Sequence, residues 1–234
     1  MILHTEILGN GDPIVFLHTG LQTGMTDFEH QREHFKKNYK VILPDLRGHG
    51  KSISNNFSDF FNDSANDLLE TFNSLEIKSA YIVGCSLGAL VGLIFAKKFP
   101  DRVKSLTLSG VIPEKPANWL EMHKQDVERQ TKLLENEELV SYFDNLHSSD
   151  WKQFIYMSRD KNWYPFDKTG DLSDLEMPTL FMVGEGNAHE RIGAQVYPQM
   201  NPNVHTAVIP YASHLVHTEQ PDMYTLALAK FFNK

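Results

Sequence analysis

Residues 84–88, with the sequence G-C-S-L-G, form the stretch whose residue types and spacing are best suited to chemistry. An apolar run at 80–83 predicts a strand before it, and an apolar run at 89–96 predicts a helix after it. A sharp strand-to-helix turn leaves little room beside its central residue, which explains the two glycines. Such a turn would present the hydroxyl of Ser86 above a sheet. It would also leave the N–H of Leu87 at a helix N-terminus, free to donate to a developing negative charge.

Strand-like and helix-like segments alternate along most of the chain. This alternation predicts an α/β protein with a mainly parallel central sheet and helices on both of its faces. Glycine-containing loops follow several of the predicted strands, so we expect the chemistry at the carboxyl edge of the sheet. The apolar strand-like runs lie at 14–17, 41–43, 80–83, 103–108, 178–183 and 207–209, and the helical patterns at 26–37, 57–75, 89–98, 190–200 and 221–232. A possible first strand at 2–8 precedes them.

The alternation stops between residues 113 and 171. This part of the chain is polar and helix-prone, and it ends with an aromatic cluster at 163–166. The pattern predicts that residues 1–112 and 172–234 form the α/β core and that residues 113–171 form a helical insertion, a small cap on that core.

Composition excludes some classes of partner. The chain has 234 residues, a net charge of −8, 41% hydrophobic residues and 22% charged residues, which are values of an ordinary globular protein. Nucleic acids and anionic membranes bind basic surfaces, so neither is expected as the main partner. The partner we expect is a small-molecule substrate, and the sequence gives no indication of the oligomeric state.

Cys85 is the one cysteine of the chain, so no intramolecular disulfide can form. This suits a reducing compartment. Residues 1–6 lack the basic and then apolar pattern of a signal peptide, and the apolar stretches are shorter than the ~18 residues of a membrane span. We therefore expect a cytoplasmic protein without membrane insertion.

Four landmarks together resemble the α/β-hydrolase family over essentially the full length of the chain. His18-Thr19-Gly20 resembles the family's oxyanion loop, and D-L-R-G-H-G-K-S at 45–52 is similar to its D-x-R-G-x-G-x-S stretch. Residues 84–88 match its nucleophile elbow, and residues 213–221 resemble its histidine loop, G-H-x-x-x-x-E-x-P. The resemblance implies an α/β-hydrolase fold in which residues 113–171 are the lid.

The resemblance implies a nucleophile at Ser86 and a general base at His214. A serine hydroxyl needs a base within hydrogen-bond reach. His214 follows the last predicted strand, so it is expected at the same sheet edge as Ser86. His217, three residues further on, is expected to face the substrate cleft or solvent. No pair among the eleven histidines has the spacing and carboxylate context of a zinc motif, so neither a metal nor another cofactor is expected.

The third member of the triad departs from the family pattern. The family places an aspartate after the penultimate strand, and here the corresponding stretch, 184–187, ends in Asn187. Asparagine can hold the histidine tautomer but carries no charge to stabilise the imidazolium. Asn187 is therefore predicted as the positional equivalent of the acid, with the carboxylates of Glu190 and then Glu185 as alternatives.

The oxyanion hole and the substrate site are assigned by the same resemblance. The two donors are expected to be the N–H groups of Leu87 and Gly20. Threonine stands at position 19, where the family usually has glycine. Aromatic and apolar side chains of the insertion indicate an apolar or aromatic substrate, and Trp119, Met122 and Trp163 are the residues predicted to bind it.

The sequence thus predicts a serine hydrolase of the carboxylesterase type. Hydrolysis of a carbon–carbon or amide bond on the same fold remains an alternative. A ligand-binding or regulatory protein with weak turnover is another, and the neutral Asn187 favours it.

Overall fold

Seven segments of the chain form β-strands in a computed structural model that describes residues 1–233. Six of them match the apolar runs predicted from the sequence, and the seventh lies within the possible first strand predicted at 2–8. The strands are Thr5–Leu8 (β1), Asp12–Leu17 (β2), Tyr39–Pro44 (β3), Ala80–Cys85 (β4), Val103–Ser109 (β5), Thr179–Gly184 (β6) and Val204–Ile209 (β7).

The strands pair into one sheet in the order β1-β3-β2-β4-β5-β6-β7. β1 is antiparallel to β3, and the other neighbouring pairs are parallel. The predicted mainly parallel sheet is therefore confirmed. Parallel neighbours end at the same edge of the sheet, so the loops after β2, β4, β5, β6 and β7 lie close together.

The helices connect these strands and follow the last of them. Four helices lie between β5 and β6, within the predicted insertion, and a 3-10 turn at Pro100–Arg102 precedes β5. The helices are Glu29–Phe35 (α1), Phe60–Ser74 (α2), Leu87–Lys98 (α3), Trp119–Glu135 (α4), Glu137–Leu146 (α5), Lys152–Ser158 (α6), Phe166–Thr169 (α7), Ala188–Met200 (α8), Val216–Glu219 (α9) and Pro221–Phe232 (α10).

Each face of the sheet is covered by apolar side chains of helices. Along β2, Val15 and Leu17 pack on the face that carries α2 and α3, while Ile14 and Phe16 pack on the face that carries α1 and α10. Residues of a strand alternate between faces, so a strand buried on both sides is apolar at every position. This explains the continuous apolar run at 14–17.

The α4–α7 segment packs against the core. Trp119, Phe143 and Trp151 belong to the same buried cluster as the side chains of α2 and α3. Polar contacts add to this packing. His147 accepts a hydrogen bond from the Gly50 N–H at 2.8 Å and donates one to the Leu21 carbonyl at 3.1 Å. Acceptance at Nδ1 needs the neutral ring, and burial lowers the pKa of His147 to about 4. The segment is therefore tied to two loops at the carboxyl edge of the sheet.

Candidate active site

Ser86 lies at the junction between β4 and α3, in a strained backbone conformation. Its φ of 52° and ψ of −118° fall in a region that side chains rarely adopt. Such a conformation costs about 1–3 kcal/mol and persists only where the surrounding structure fixes it. The N–H of Ser86 donates to the Ser109 carbonyl of the neighbouring strand β5 at 2.8 Å. The strand-to-helix turn predicted from the sequence is thus formed.

The two glycines of the turn are required by contact with backbone atoms. A Cβ on Gly84 would lie 2.5 Å from the backbone C and O of Gly88. A Cβ on Gly88 would lie 2.0 Å from the carbonyl oxygen of Leu17. Real Cβ atoms essentially never come this close, and neither backbone can move aside. The N-terminus of α3, with Leu87, therefore packs directly against the end of β2, where the loop of residues 18–22 begins.

The loop of residues 18–22, which we call the oxyanion loop after the family motif that it resembles, is fixed by Asp27. The N–H of Thr19 donates to Asp27 Oδ2 at 2.8 Å, and the Thr19 hydroxyl donates to the same oxygen at 3.0 Å. Threonine at position 19, a departure from the family pattern, thus gains a second hydrogen bond that glycine could not make. Gly20 follows in this loop, and a Cβ there would approach the ring of Phe154 at 3.2 Å.

His214 follows β7 and is held by Glu190. His214 Nδ1 lies 2.6 Å from Glu190 Oε1, and Glu190 is only 1% exposed. β6 and β7 are parallel neighbours that end together at Gly184 and Ile209. The segments that follow these two strands are therefore adjacent: the first turn of α8 carries Glu190, and the loop after β7 carries His214. With a carboxylate on Nδ1, the proton sits on that nitrogen and Nε2 is left as the basic site.

Asn187 is not the partner of His214, contrary to the first choice made from the sequence. Asn187 caps α8: its Oδ1 accepts from the Glu190 N–H at 3.3 Å, and its Nδ2 donates to Glu190 Oε1 at 2.7 Å. Because Asn187 is at the N-cap, Glu190 lies in the first helical turn and reaches back across it to His214. The carboxylate ranked second is the one in contact.

Glu185, the third-ranked acid, is also directed elsewhere. Its side chain is exposed, and its Oε1 accepts from the Tyr211 N–H at 2.9 Å. It therefore holds the turn after β7 rather than the ring of His214.

The electrostatics of His214 follow from these contacts. Burial lowers the pKa of His214, and the hydrogen bond and the charge of Glu190 outweigh this effect, so that the pKa is raised above 6.5. A carboxylate on Nδ1 favours the imidazolium, which is the form that a general base becomes during proton transfer.

Two cavities border both Ser86 and His214. The first, which we call the aromatic cavity, has a volume of about 430 Å³, and the second, the loop cavity, has a volume of about 460 Å³ and is lined by the oxyanion loop. Of the predicted substrate-binding residues, Trp119 and Met122 border the aromatic cavity and Trp163 borders both. The three side chains therefore border a cavity that Ser86 also borders, and their role in binding a substrate stays a prediction.

His217 is buried, contrary to the expectation that it faces the cleft or solvent. It is 1% exposed, and its Nε2 lies 2.7 Å from Asp27 Oδ1. Asp27 falls near the start of the helix predicted over 26–37, and that pattern predicts no role for it in the site. These two residues are 190 positions apart, so no local spacing signals their contact.

Residues 1–233 contain neither a cluster of metal ligands nor a membrane-spanning helix. Within that range, no group of three or more His, Cys, Asp or Glu side chains is arranged to hold a metal ion. None of the helices there has both the length and the apolar composition needed to cross a bilayer.

Comparison with known families agrees with this geometry. The sequence model of the alpha/beta hydrolase fold matches residues 12–137, which is more than half of the chain. The chain belongs to the α/β-hydrolase fold family. Its four landmarks were expected at 18–20, 45–52, 84–88 and 213–221, and the first three fall within the matched part.

Relatives of this α/β-hydrolase cover almost its whole length. It is 27% identical to a Bacillus subtilis (strain 168) protein described as the uncharacterized carboxylesterase nap, over 98% of this chain and 83% of that protein. It is 24% identical to 2-(acetamidomethylene)succinate hydrolase of Mesorhizobium japonicum, over 99% of this chain and 91% of that enzyme. The crystal structure of NosK from Streptomyces actuosus superposes with a TM-score of 0.81 at 24% identity, over 95% of this chain and 97% of that one.

The close approach at Gly88 gives a testable prediction. We expect Gly88→Ala to lower the free energy of unfolding by about 3 kcal/mol, because its Cβ would meet backbone atoms of both Leu17 and His18 within 2.7 Å. Gly92→Ala, on the same helix, is the matched control, since its Cβ would lie 3.2 Å from a side-chain methyl of Ile82 that can shift. The control should stay within about 1 kcal/mol of the wild type, helped by the higher helix propensity of alanine. Urea denaturation measures both, and equal midpoints for the two variants would contradict the prediction.

Proposed function

We propose that this α/β-hydrolase is a serine hydrolase that cleaves carboxylic esters of small molecules. The observation that supports it most strongly is the buried carboxylate of Glu190, 2.6 Å from Nδ1 of His214. His214 and Ser86 in turn border the same two cavities. A buried acid that orients a histidine, with a serine bordering the same cavities, is the arrangement that can activate a hydroxyl nucleophile.

In the first half of the proposed reaction, Ser86 Oγ attacks the carbonyl carbon of the ester. His214 Nε2 accepts the hydroxyl proton, and Glu190 stabilises the imidazolium that results. The tetrahedral oxyanion accepts hydrogen bonds from the N–H groups of Leu87 and Gly20. The imidazolium then gives its proton to the leaving alcohol, and the acyl group remains on Ser86.

In the second half, water replaces the alcohol. His214 takes a proton from water, and the hydroxide attacks the acyl carbonyl in the same oxyanion hole. Collapse of the tetrahedral intermediate returns the proton to Ser86 Oγ and releases the carboxylic acid. Side chains, backbone N–H groups and water supply every group that this route needs.

The α4–α7 segment is proposed to act as the lid and to set the substrate. It carries Trp119, Met122 and Trp163, which border the cavities next to Ser86. The accessible walls of both cavities are more apolar than polar, which suits an apolar or aromatic acyl or alcohol group. The name of the carboxylesterase relative from Bacillus subtilis supports an ester as the bond that is cleaved.

A second candidate is hydrolysis of a substrate that carries a carboxylate. Arg129 borders both cavities, and its partner is the neighbouring Asp126 on the same helix. Exposed pairs of this kind contribute little, so a substrate carboxylate could replace Asp126 and bind Arg129 through two hydrogen bonds. The succinate-derived substrate in the name of the Mesorhizobium relative favours this candidate.

The proposed role of Glu190 predicts a change in both rate and pH profile. The base must be neutral, so kcat/KM of the wild type should fall as the pH drops through the raised pKa of His214, above 6.5. Glu190→Gln removes the charge that raises this pKa. We expect kcat/KM for p-nitrophenyl esters to drop about 10³–10⁴-fold and its acidic limb to move to lower pH. An unchanged limb and rate would exclude Glu190 as the acid.

Asn187→Asp is the matched variant at the position that the sequence favoured. It keeps a good helix cap but places a second carboxylate 2.7 Å from Glu190 Oε1. Two carboxylates this close cannot both ionise easily, so we expect turnover at pH 7 to fall. A rise in turnover would instead identify position 187 as the vacant acid site.

The second candidate is tested at Arg129 with two p-nitrophenyl esters of equal length, one neutral and one ending in a carboxylate. Arg129→Gln should raise KM for the acidic ester about 10-fold, the effect of losing a charged hydrogen bond, and change KM for the neutral ester less than about 2-fold. Arg129→Lys keeps the charge and should give an intermediate value. Equal effects on both esters would remove the support for a carboxylate substrate.

A further inference from the structure

The carboxylate of Asp27 collects four hydrogen bonds beside the proposed site. Its Oδ2 accepts from the N–H and the hydroxyl of Thr19, at 2.8 and 3.0 Å. Its Oδ1 accepts from the Phe28 N–H at 2.9 Å and lies 2.7 Å from Nε2 of His217. Asp27 is 5% exposed and His217 is 1% exposed. A buried charge is tolerated only where such donors satisfy it.

These bonds join the two loops on which the proposed chemistry depends. Thr19 immediately precedes Gly20, whose N–H is a proposed oxyanion donor. His217 lies three residues after His214, the proposed base. The carboxylate of Asp27 therefore links the oxyanion loop to the histidine loop through contacts that cross 8 and 190 residues of sequence.

His217 is itself fixed in place. Its ring stacks on Phe28 with a centroid distance of 4.2 Å and an interplanar angle of 26°. Its carbonyl oxygen accepts from Gln31 Nε2 at 3.0 Å. Both contacts come from the start of α1, so this one segment holds the ring, the backbone and the acidic partner of His217.

Backbone strain surrounds the same network. Leu21 in the oxyanion loop has a φ of 62°, and Phe28, next to Asp27, has a φ of 51°. Neither residue is glycine, so each conformation costs about 1–3 kcal/mol and needs its neighbours to maintain it. The Asp27 carboxylate supplies such a restraint by binding the N–H of Phe28. The conformation of the oxyanion loop is thus maintained by contacts with its neighbours, among them the bonds from Thr19 to Asp27, and not by the preferences of its own residues.

The charge of Asp27 suits this role. Burial raises the pKa of Asp27, but the hydrogen bonds from His217, Thr19 and Phe28 outweigh burial and hold the pKa well below its usual range. The side chain is therefore a carboxylate at neutral pH, with both oxygens available as acceptors.

We propose that Asp27 and His217 are positioning residues. They hold the Gly20 N–H where it can bind the oxyanion and, at the same time, hold the His214 ring where it can transfer the proton. The proposal rests on the proposed function, since it concerns the same reaction. Misplacing one oxyanion donor costs transition-state stabilisation but little ground-state binding, so the effect belongs in kcat rather than in KM.

The test is ester hydrolysis by Asp27→Asn, with kcat expressed per active site titrated with a fluorophosphonate. Asparagine is nearly isosteric but turns one oxygen into a donor that faces the existing donors. We expect kcat per site to fall about 10–100-fold, with KM changed less than about 3-fold. The inhibition constant of a boronic acid, which forms a tetrahedral adduct on Ser86, should rise in proportion to the loss in kcat/KM. A merely destabilised variant would lose titratable sites and keep kcat per site.

Two further pairs keep the proposal testable if Asp27→Asn does not fold. His217→Gln retains an N–H donor toward Asp27 and should keep most of kcat, whereas His217→Phe retains the stacking on Phe28 and should lose it. Thr19→Ser should behave as the wild type, and Thr19→Val should lose kcat about 3–10-fold, the effect of one hydrogen bond.

His30→Gln is the control. His30 lies in the first turn of α1, three residues after Asp27. The substitution removes an exposed pair with Asp222, at 3.1 Å, that also joins α1 to α10, and it should leave kcat unchanged. Kcat per site within 2-fold of the wild type for Asp27→Asn, or for both His217→Phe and Thr19→Val, would overturn the positioning role. Absence of Ser86-dependent turnover in the wild type would instead overturn the proposed function.

Discussion

The turn between β4 and α3 has no room for a side chain at Gly84 or at Gly88, the positions two residues before and after Ser86. Backbone atoms of Gly88 fill the space beside Gly84, and the Leu17 carbonyl fills the space beside Gly88. This contact sets the position of α3 against β2, and with it the distance between the elbow and the oxyanion loop. The strain at Ser86 is maintained by the same packing, because the turn cannot relax without separating the helix from the strand.

Two buried carboxylates hold the side chains and loops that this packing brings together. Glu190 fixes the His214 ring from α8, and Asp27 fixes the oxyanion loop and His217 from the start of α1. Both carboxylates are buried: Asp27 carries four hydrogen bonds and Glu190 Oε1 carries two, so each determines one geometry for the groups around it. The sheet brings the loops to one edge, and the two carboxylates then set their side chains within that edge.

Much of the fold could be predicted from the sequence, because its signals are local. Strand-like runs in the sequence predict all seven strands, and the glycines of 84–88 predict the turn. The family's position for the acid points to Asn187 as the partner of His214, whereas the carboxylate in contact with His214, that of Glu190, lies one helical turn later. The N-x-x-E spacing of 187–190 is a helix-start signal that places Asn187 at the cap and Glu190 in the first turn. The contact between Asp27 and His217 has no local signal, since only the assembled sheet brings these residues together.

Covalent labelling decides whether Ser86 is the activated nucleophile that we propose for this α/β-hydrolase. The 234-residue chain would be treated with a fluorophosphonate at pH 7–8, followed by intact-mass and peptide mass spectrometry. We expect one adduct per chain, located on Ser86, absent from Ser86→Ala and formed much more slowly in Glu190→Gln. No adduct in the wild type, or an adduct on another residue that persists in Ser86→Ala, would contradict it.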